Sequence, residues 1–311
     1  MSTLNNKIGK GYIIASTAIS ATTALLIVIV LLLNSWDAIS DIGWQLFSLK
    51  WHPPARQFGI LPMLFGTMSV TLIALFLAVP LGIATAIFTS EILPGKYRFI
   101  LKSLLELLAG IPSIIYGLIG IAFFSIWIQK LYGLQSGRTI FTAGILLAIM
   151  ILPTIITLVD DALHHVPKKY REAAKGLGLY KYEVVKNMLL PIAKPDILGA
   201  VLLALGRALG ETMAVMLVIG SIDKIPKPFF NWLSPGQTIT SKLGREIAES
   251  SFGSVHFSAM IFMGLILLLI VLSLTIAAQL RACWEFGFRG KKCLFFDETR
   301  RKIRSIVGLR D

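Results

Sequence analysis

Charge and cysteine are both scarce in this chain. Only 15% of its 311 residues are charged, whereas a soluble globular domain carries about 25%. With 55% hydrophobic residues and a mean hydropathy of +0.76, the chain needs lipid to hide in. Its two cysteines, Cys283 and Cys293, do not make a disulfide scaffold; both follow the last apolar run and are expected to be reduced. No Gly-x-x-x-x-Gly-Lys-Ser/Thr sequence occurs, so a phosphate-loop nucleotide site is absent. Long repeats and low-complexity runs are also missing, and no connection is long enough for a separate soluble domain.

What the chain does have is six apolar runs, each long enough to cross about 30 Å of hydrocarbon as a helix. They are 12–33, 61–90, 107–128, 139–159, 197–222 and 257–280. The first is too long for the core of a signal peptide and lacks a convincing cleavage site after it, so it belongs to the mature chain. Pro80, Pro112 and Pro153 lie within spans, where neighbouring helices can satisfy the freed backbone groups. The expected fold is therefore an all-α integral membrane protein with six transmembrane helices.

A formal charge of +13 invites nucleic acid or a membrane surface as partner. The distribution favours the membrane. With the N-terminus inside, 21 Lys/Arg fall on the inner side and 8 on the outer, with Arg207 inside a span. The positive-inside rule then places both termini in the cytoplasm.

The fifth run differs from the other five in carrying charge, Arg207 and Glu211. On a continuous helix, residues four apart share one face. Charges near the bilayer centre cost roughly 2.5–3.5 kcal/mol each, so a chain keeps them where they meet water, a partner or cargo. Arg207 offers a planar fork of donors suited to an oxyanion. Glu211 can hold that guanidinium while the path is empty, or take a proton from the cargo. A structural ion pair that pins helix packing is compatible with both roles. Gly206 and Gly210 add a Gly-x-x-x-Gly spacing that permits close helix approach.

Between the fourth and fifth runs, Pro167 interrupts the chain and 170–176 is expected to be a short helix stopped by Gly178. A second short helix is expected over 180–189, before Pro191. Two such helices at an angle make a protruding knob, with Glu172, Lys175 and Arg171 pairing at its rim. Elsewhere, Pro112 kinks the third run, either for packing or to turn Ser113 and Tyr116 toward an anion. Adjacent His164 and His165 face different ways and do not make a metal site. Asp160 and Asp161 are expected to be a solvated helix end. The 241–251 segment suggests a short helix on the outer surface.

The same loop carries Glu172-Ala173-Ala174, then Gly178, then Leu190-Pro191, at the offsets of the EAA motif of ABC-importer permeases. Met188 stands where that motif has Ile. The segments 58–94, 104–120, 151–167 and 206–220 resemble the permease chains of phosphate ABC importers. Such importers have two permease chains, and Met213-Ala214-Val215 is closer to the C-type chain than to its A-type sibling. The resemblance implies a type I importer permease fold with a core at 58–280. Before the core lies an N-terminal helix and outer loop at 1–57, and after it a basic cytoplasmic tail at 281–311, either lipid-bound or solvated.

The resemblance also implies transport of inorganic phosphate by alternating access across a bacterial inner membrane. Partners would be a sibling permease in a heterodimer, an ATPase homodimer, a phosphate-binding protein and membrane lipid, with no nucleic acid. The chain would carry no cofactor and no catalytic residue; ATP and Mg would sit on the ATPase. Arg207, Glu211, Thr212, Ser113 and Tyr116 would line the pathway. Glu172, Ala173, Ala174, Gly178, Leu190 and Pro191 would couple to the ATPase. Another oxyanion cargo (molybdate, sulfate, phosphonate), the sibling role, and an ATP-independent channel or secondary transporter stay open.

Overall fold

The computed structural model describes residues 2–287; for residues 2–10, and for those after Ala278 other than Leu280, it describes the backbone alone. Most of the expected basic tail, with Cys293, lies outside these residues.

Helix α1 (Ser2–Ile42) leads through a 3-10 turn, Gly43–Phe47, to a short antiparallel hairpin, β1 (Trp51–His52) and β2 (Gln57–Phe58). Helix α2 (Leu61–Ile87) passes into a π-turn, Phe88–Ile92. Next come α3 (Gly95–Ala109) and α4 (Ser113–Ile119), then a π-turn, Gly120–Ser125, and α5 (Ile126–Tyr132). The long α6 (Ile140–His165) is followed by α7 (Lys168–Gly176) and α8 (Lys181–Val184). A π-turn, Val185–Leu189, joins α8 to α9 (Leu190–Gly210). The chain finishes with α10 (Met213–Val218), α11 (Ile239–Glu246) and α12 (Val255–Gly287).

Among the described residues, six helical stretches are long and apolar enough to cross a membrane: Gly11–Phe47, Leu61–Ile92, Ser113–Tyr132, Ile140–His165, Lys181–Gly210 and Val255–Ala278. The number agrees with the sequence, but three sets of boundaries differ clearly. The first stretch runs on to Phe47 rather than ending at 33, because α1 continues to Ile42 and into the 3-10 turn. The third span starts at Ser113 rather than at 107, because Gly110-Ile111-Pro112 ends α3 and starts a new helix, with Pro112 in the extended conformation that suits the residue before a first turn. The fifth begins at Lys181 and stops at Gly210, for reasons given below.

By internal contacts the chain forms two compact units. One comprises Met1–Ile73, Pro112–Leu147 and Leu209–Leu269; the other comprises Ala74–Ile111, Ala148–Ala208 and the chain from Ile270.

In the first unit, a core gathers Trp51 and Phe58 of the hairpin with Ile60 and Met63, Ile239 of α11, and Met260 and Met263 of α12. Trp51 meets Phe58 edge-on at 5.4 Å, a favoured aromatic geometry. Thr67 ties α2 to α11: its hydroxyl accepts the Ile239 N–H at 3.0 Å and donates to the Met63 carbonyl at 2.8 Å. Helix α11 was expected on the surface, yet Ile239, Thr240, Ser241 and Lys242 are all buried. Lys242 is 1% exposed and lies between Asp223 and Glu246, at 2.5 Å from each.

The second unit is built around the later part of α6, where Ile151, Ile155, Val159 and Leu163 are fully buried. Asp160 was expected to be solvated, but it is 2% exposed and held by Arg98 at 2.7 Å. Asp161 pairs with Lys102 at 2.6 Å. Both pairs fasten α3 to α6. Burial of Asp160 needs a cation from another element, because an unpaired carboxylate in that position would carry a large desolvation cost.

Candidate functional site

Pro167 starts α7, and the helix ends in a Schellman motif. The Leu179 N–H reaches back to the Ala174 carbonyl at 3.1 Å, and the Gly178 N–H to the Lys175 carbonyl at 3.0 Å. Gly178 adopts φ +71°, the left-handed conformation this closure demands and glycine supplies cheaply. A Cβ at this position would meet nothing within 4 Å, so the demand is on the backbone alone. Glu172 and Ala173 face outward and Ala174 is fully buried. Leu177, Tyr180 and Tyr182 are 76%, 73% and 68% exposed. A protruding tip with large apolar side chains therefore follows α7.

Two expectations for this knob are corrected. Arg171 does not pair with Glu172: its guanidinium binds Glu91 at 2.7 Å and the carbonyls of Leu163 and Val166 at 2.8 and 2.9 Å. Nor is the second helix a separate one stopped before Pro191. It starts at Lys181, with the Tyr180 N–H bound to the Glu183 carboxylate at 2.8 Å, and continues through the π-turn into the fifth span. The widened turn precedes Pro191, where the missing N–H would break the ordinary ladder. Leu190, half-buried, and Pro191, exposed, are thus the first residues of α9. Behind α7 lies an open pocket of about 340 Å³, lined by Glu91, His164, Lys168, Arg171 and Lys175 among others. His164 contacts the Arg98 guanidinium and the Ser90 hydroxyl, which gives it a structural role.

The proposed pathway residues fall into two groups. Helix α9 ends at Gly210, so Glu211 is not on a helical turn with Arg207 and their shared face is lost. Glu211 sits in a break and binds the Ala214 N–H through Oε1 at 3.2 Å, covering the start of α10. Its carbonyl accepts the Thr240 hydroxyl at 2.7 Å. The Thr212 hydroxyl turns back to the Gly210 carbonyl at 3.2 Å. These two residues belong to the same unit as Ser113 and Tyr116, and α4 packs closely on α10: a Cβ at Gly117 would come within 3.0 Å of the Ala214 Cα. Ser113 is half-buried at the start of α4 and Tyr116 is buried.

Arg207 belongs to the other unit. It is exposed on an otherwise apolar part of α9 and donates to the Thr154 hydroxyl at 3.0 Å. Gly206 and Gly210 do not serve close packing among the described residues, since a Cβ on either would meet nothing within 4 Å. Close approach occurs at Gly117 and Gly120 instead, in a Gly-x-x-Gly spacing that the sequence reading passed over.

Comparison with known proteins agrees with this architecture. The family model described as a binding-protein-dependent transport system inner membrane component matches residues 78–281. The phosphate transport system permease protein PstC of Mesorhizobium japonicum is 38% identical, over 78% of this chain and 80% of that protein. The probable ABC transporter permease protein YqgH of Bacillus subtilis is 36% identical, over 75% of this chain and 74% of that protein. PstC of Haemophilus influenzae is 35% identical, over 82% and 85% respectively. Among solved structures, a chain of the MetNI methionine ABC transporter in an inward-facing conformation superposes with a TM-score of 0.55 at 17% identity, over 75% of this chain and 98% of that chain. That likeness is one of fold, the all-helical permease fold of ABC importers. With the matched segment covering most of the chain and six helices among the described residues long and apolar enough to cross a membrane, this multi-pass membrane protein belongs to the family of binding-protein-dependent transport system inner-membrane components.

Proposed function

We propose that this chain is a permease subunit of an ATP-driven importer of inorganic phosphate. The observation that carries the importer reading is the α7 knob: an exposed Glu172-Ala173 pair, a buried Ala174 and a left-handed Gly178 stand at the motif's offsets on a protruding tip. The phosphate reading is supported by relatives named as phosphate permeases that match at 35–38% identity over most of this chain.

In this reading the knob seats in a cleft of a separate ATPase homodimer, which carries the ATP and Mg. Both termini and the knob face the cytoplasm, where ATP is, an orientation the Lys/Arg bias supports. A sibling permease completes the path and a phosphate-binding protein delivers cargo from outside. Arg207 is read as a cationic fork for the oxyanion, and Ser113, Tyr116, Glu211 and Thr212, which belong to the other unit, are each read as polar groups of the transport path. ATP binding and hydrolysis alternate the access of the path, and phosphate is carried without covalent change.

The direct test is labelled phosphate uptake in cells lacking their own high-affinity system, supplied with this chain, its sibling, the ATPase and the binding protein. Uptake is expected to require this chain and ATP, and to withstand excess sulfate and molybdate. Uptake that proceeds without the ATPase overturns the importer reading; competition by another oxyanion reassigns the cargo.

Gly178 tests the coupling role separately. A β-branched residue at φ +71° costs about 1–2 kcal/mol, so Gly178→Val is expected to weaken ATPase association by roughly tenfold. Gly178→Asn, which tolerates that conformation better, should lose less. Equal ATPase recovery from wild type and Gly178→Val would remove Gly178 from the coupling set.

A further inference from the structure

Helix α7 is held to its surroundings mainly by one side chain. Its sequence offers little to bury, and Ala174, its fully buried residue, removes only a small apolar area from water. Among the described residues, Arg171 is the one α7 side chain that hydrogen-bonds or ion-pairs with another element. Its guanidinium makes three groups of contacts. Nη2 donates to Glu91 Oε1 at 2.7 Å and Nε lies 3.5 Å from Glu91 Oε2. Nη2 also donates to the Leu163 carbonyl at 2.8 Å, and Nη1 to the Val166 carbonyl at 2.9 Å.

The two carbonyls are acceptors that the backbone has left open. Leu163 is four residues before Pro167, which has no N–H to return to it. Val166 lies just past the end of α6, where carbonyls lack helical partners and a cation is favoured. Glu91 stands on the π-turn that ends the second span, a feature that re-aims side chains and recurs at functional sites. A second bond, from the Ser90 hydroxyl at 3.1 Å, helps fix the Glu91 carboxylate. Arg171 and Glu91 are 21% and 17% exposed, so salt screens their attraction little. Two further ion pairs in this unit, Arg98–Asp160 and Lys102–Asp161, join α3 to α6 and leave α7 out.

We propose that Arg171, with Glu91 as its fixed acceptor, is the positioning residue that carries displacement of α7 to the ends of α2 and α6. The inference rests on the reading of α7 as the site where an ATPase docks. A fork bonded at once to two other elements resists both sliding and rotation, which a single contact does not. Lysine in its place keeps the charge but is a point donor without the planar fork, so the joint loosens without leaving Glu91 unpaired.

The test uses the complete complex in proteoliposomes and reads phosphate moved per ATP hydrolysed. Arg171→Lys and Glu91→Gln are each expected to lower that ratio at least fivefold in assembled complex that still hydrolyses ATP. The double variant should be no worse than the poorer single one, because residues in one contact are non-additive. A cargo-independent readout is the distance between spin labels on Lys169 and Lys96, both exposed. It should stay constant between nucleotide states in wild type and change in Arg171→Lys. An unchanged ratio in both single variants, additive losses, or an invariant label distance in Arg171→Lys overturns the proposal. Wild-type complex that hydrolyses ATP without moving phosphate would instead defeat the cargo reading, and the label distance would still decide the joint.

Discussion

Replacing Arg207 with alanine is expected to lower phosphate uptake at least a hundredfold while the permease still assembles with its partners. The guanidinium lies on an apolar stretch of α9, is exposed within this chain, and spends one donor on the Thr154 hydroxyl at 3.0 Å. Four of its five N–H donors have no partner among the described residues. Placing a cation within a span costs about 2.5–3.5 kcal/mol, which a cargo contact can offset. Two charge-assisted hydrogen bonds to an oxyanion contribute about 1.5–3 kcal/mol each, and their loss amounts to more than a hundredfold. Arg207→Lys, which keeps the charge without the fork, should fall between the two. Glu211→Gln should be mild, because the Ala214 N–H bonds an oxygen that glutamine retains. The measurement is initial uptake normalised to copurified complex, and normal uptake by Arg207→Ala would exclude Arg207 from the path.

The second large effect lies in the other unit and concerns stability. Lys242→Ala is expected to destabilise the protein by about 3–5 kcal/mol, the range for removing one partner of a buried ion pair. Lys242 is the shared cation of Asp223 and Glu246, both at 2.5 Å. Its ammonium also lies 5.2 Å from the centre of the Trp51 ring, and Trp51 donates its indole N–H to Glu246 at 3.1 Å. His256 approaches the same carboxylate at 3.5 Å. Without the lysine, two carboxylates face each other in a space shaped for a cation. Thermal unfolding of the solubilised protein, followed by fluorescence, should show the loss. Adding Asp223→Asn and Glu246→Gln to a Lys242→Met variant should recover most of it, since a neutral set carries no stranded charge. A midpoint unchanged by Lys242→Ala would show that the network is not a stabilising one.

How each feature could be read depended on how local its cause is. The knob was legible to the residue at Gly178, because helix closure is settled by a few consecutive residues and their φ angles. The six spans were legible because apolar length is a property of a single segment. Misplaced span ends have equally local causes that a hydropathy run does not register. Gly110-Ile111-Pro112 breaks the third run, and a π-turn carries the fifth through Pro191.

Other features waited for the tertiary structure. Arg171 was expected to pair with a neighbour one residue away, but its carboxylate partner, Glu91, lies 80 residues away in the chain. Asp160 and Lys242 belong to charged types that a sequence reading places in water, yet each is 98–99% buried because a distant element supplies the opposite charge. Arg207 and Glu211, four apart in sequence, are separated by a helix end at Gly210. The sequence by itself determined the membrane class, the number of spans and the glycine-closed turn after α7, since segment length and helix-closing signals act within a short stretch of chain. Only the tertiary structure decided which charges are buried and with whom, because desolvation and ion pairing depend on what packing brings together from remote parts of the chain.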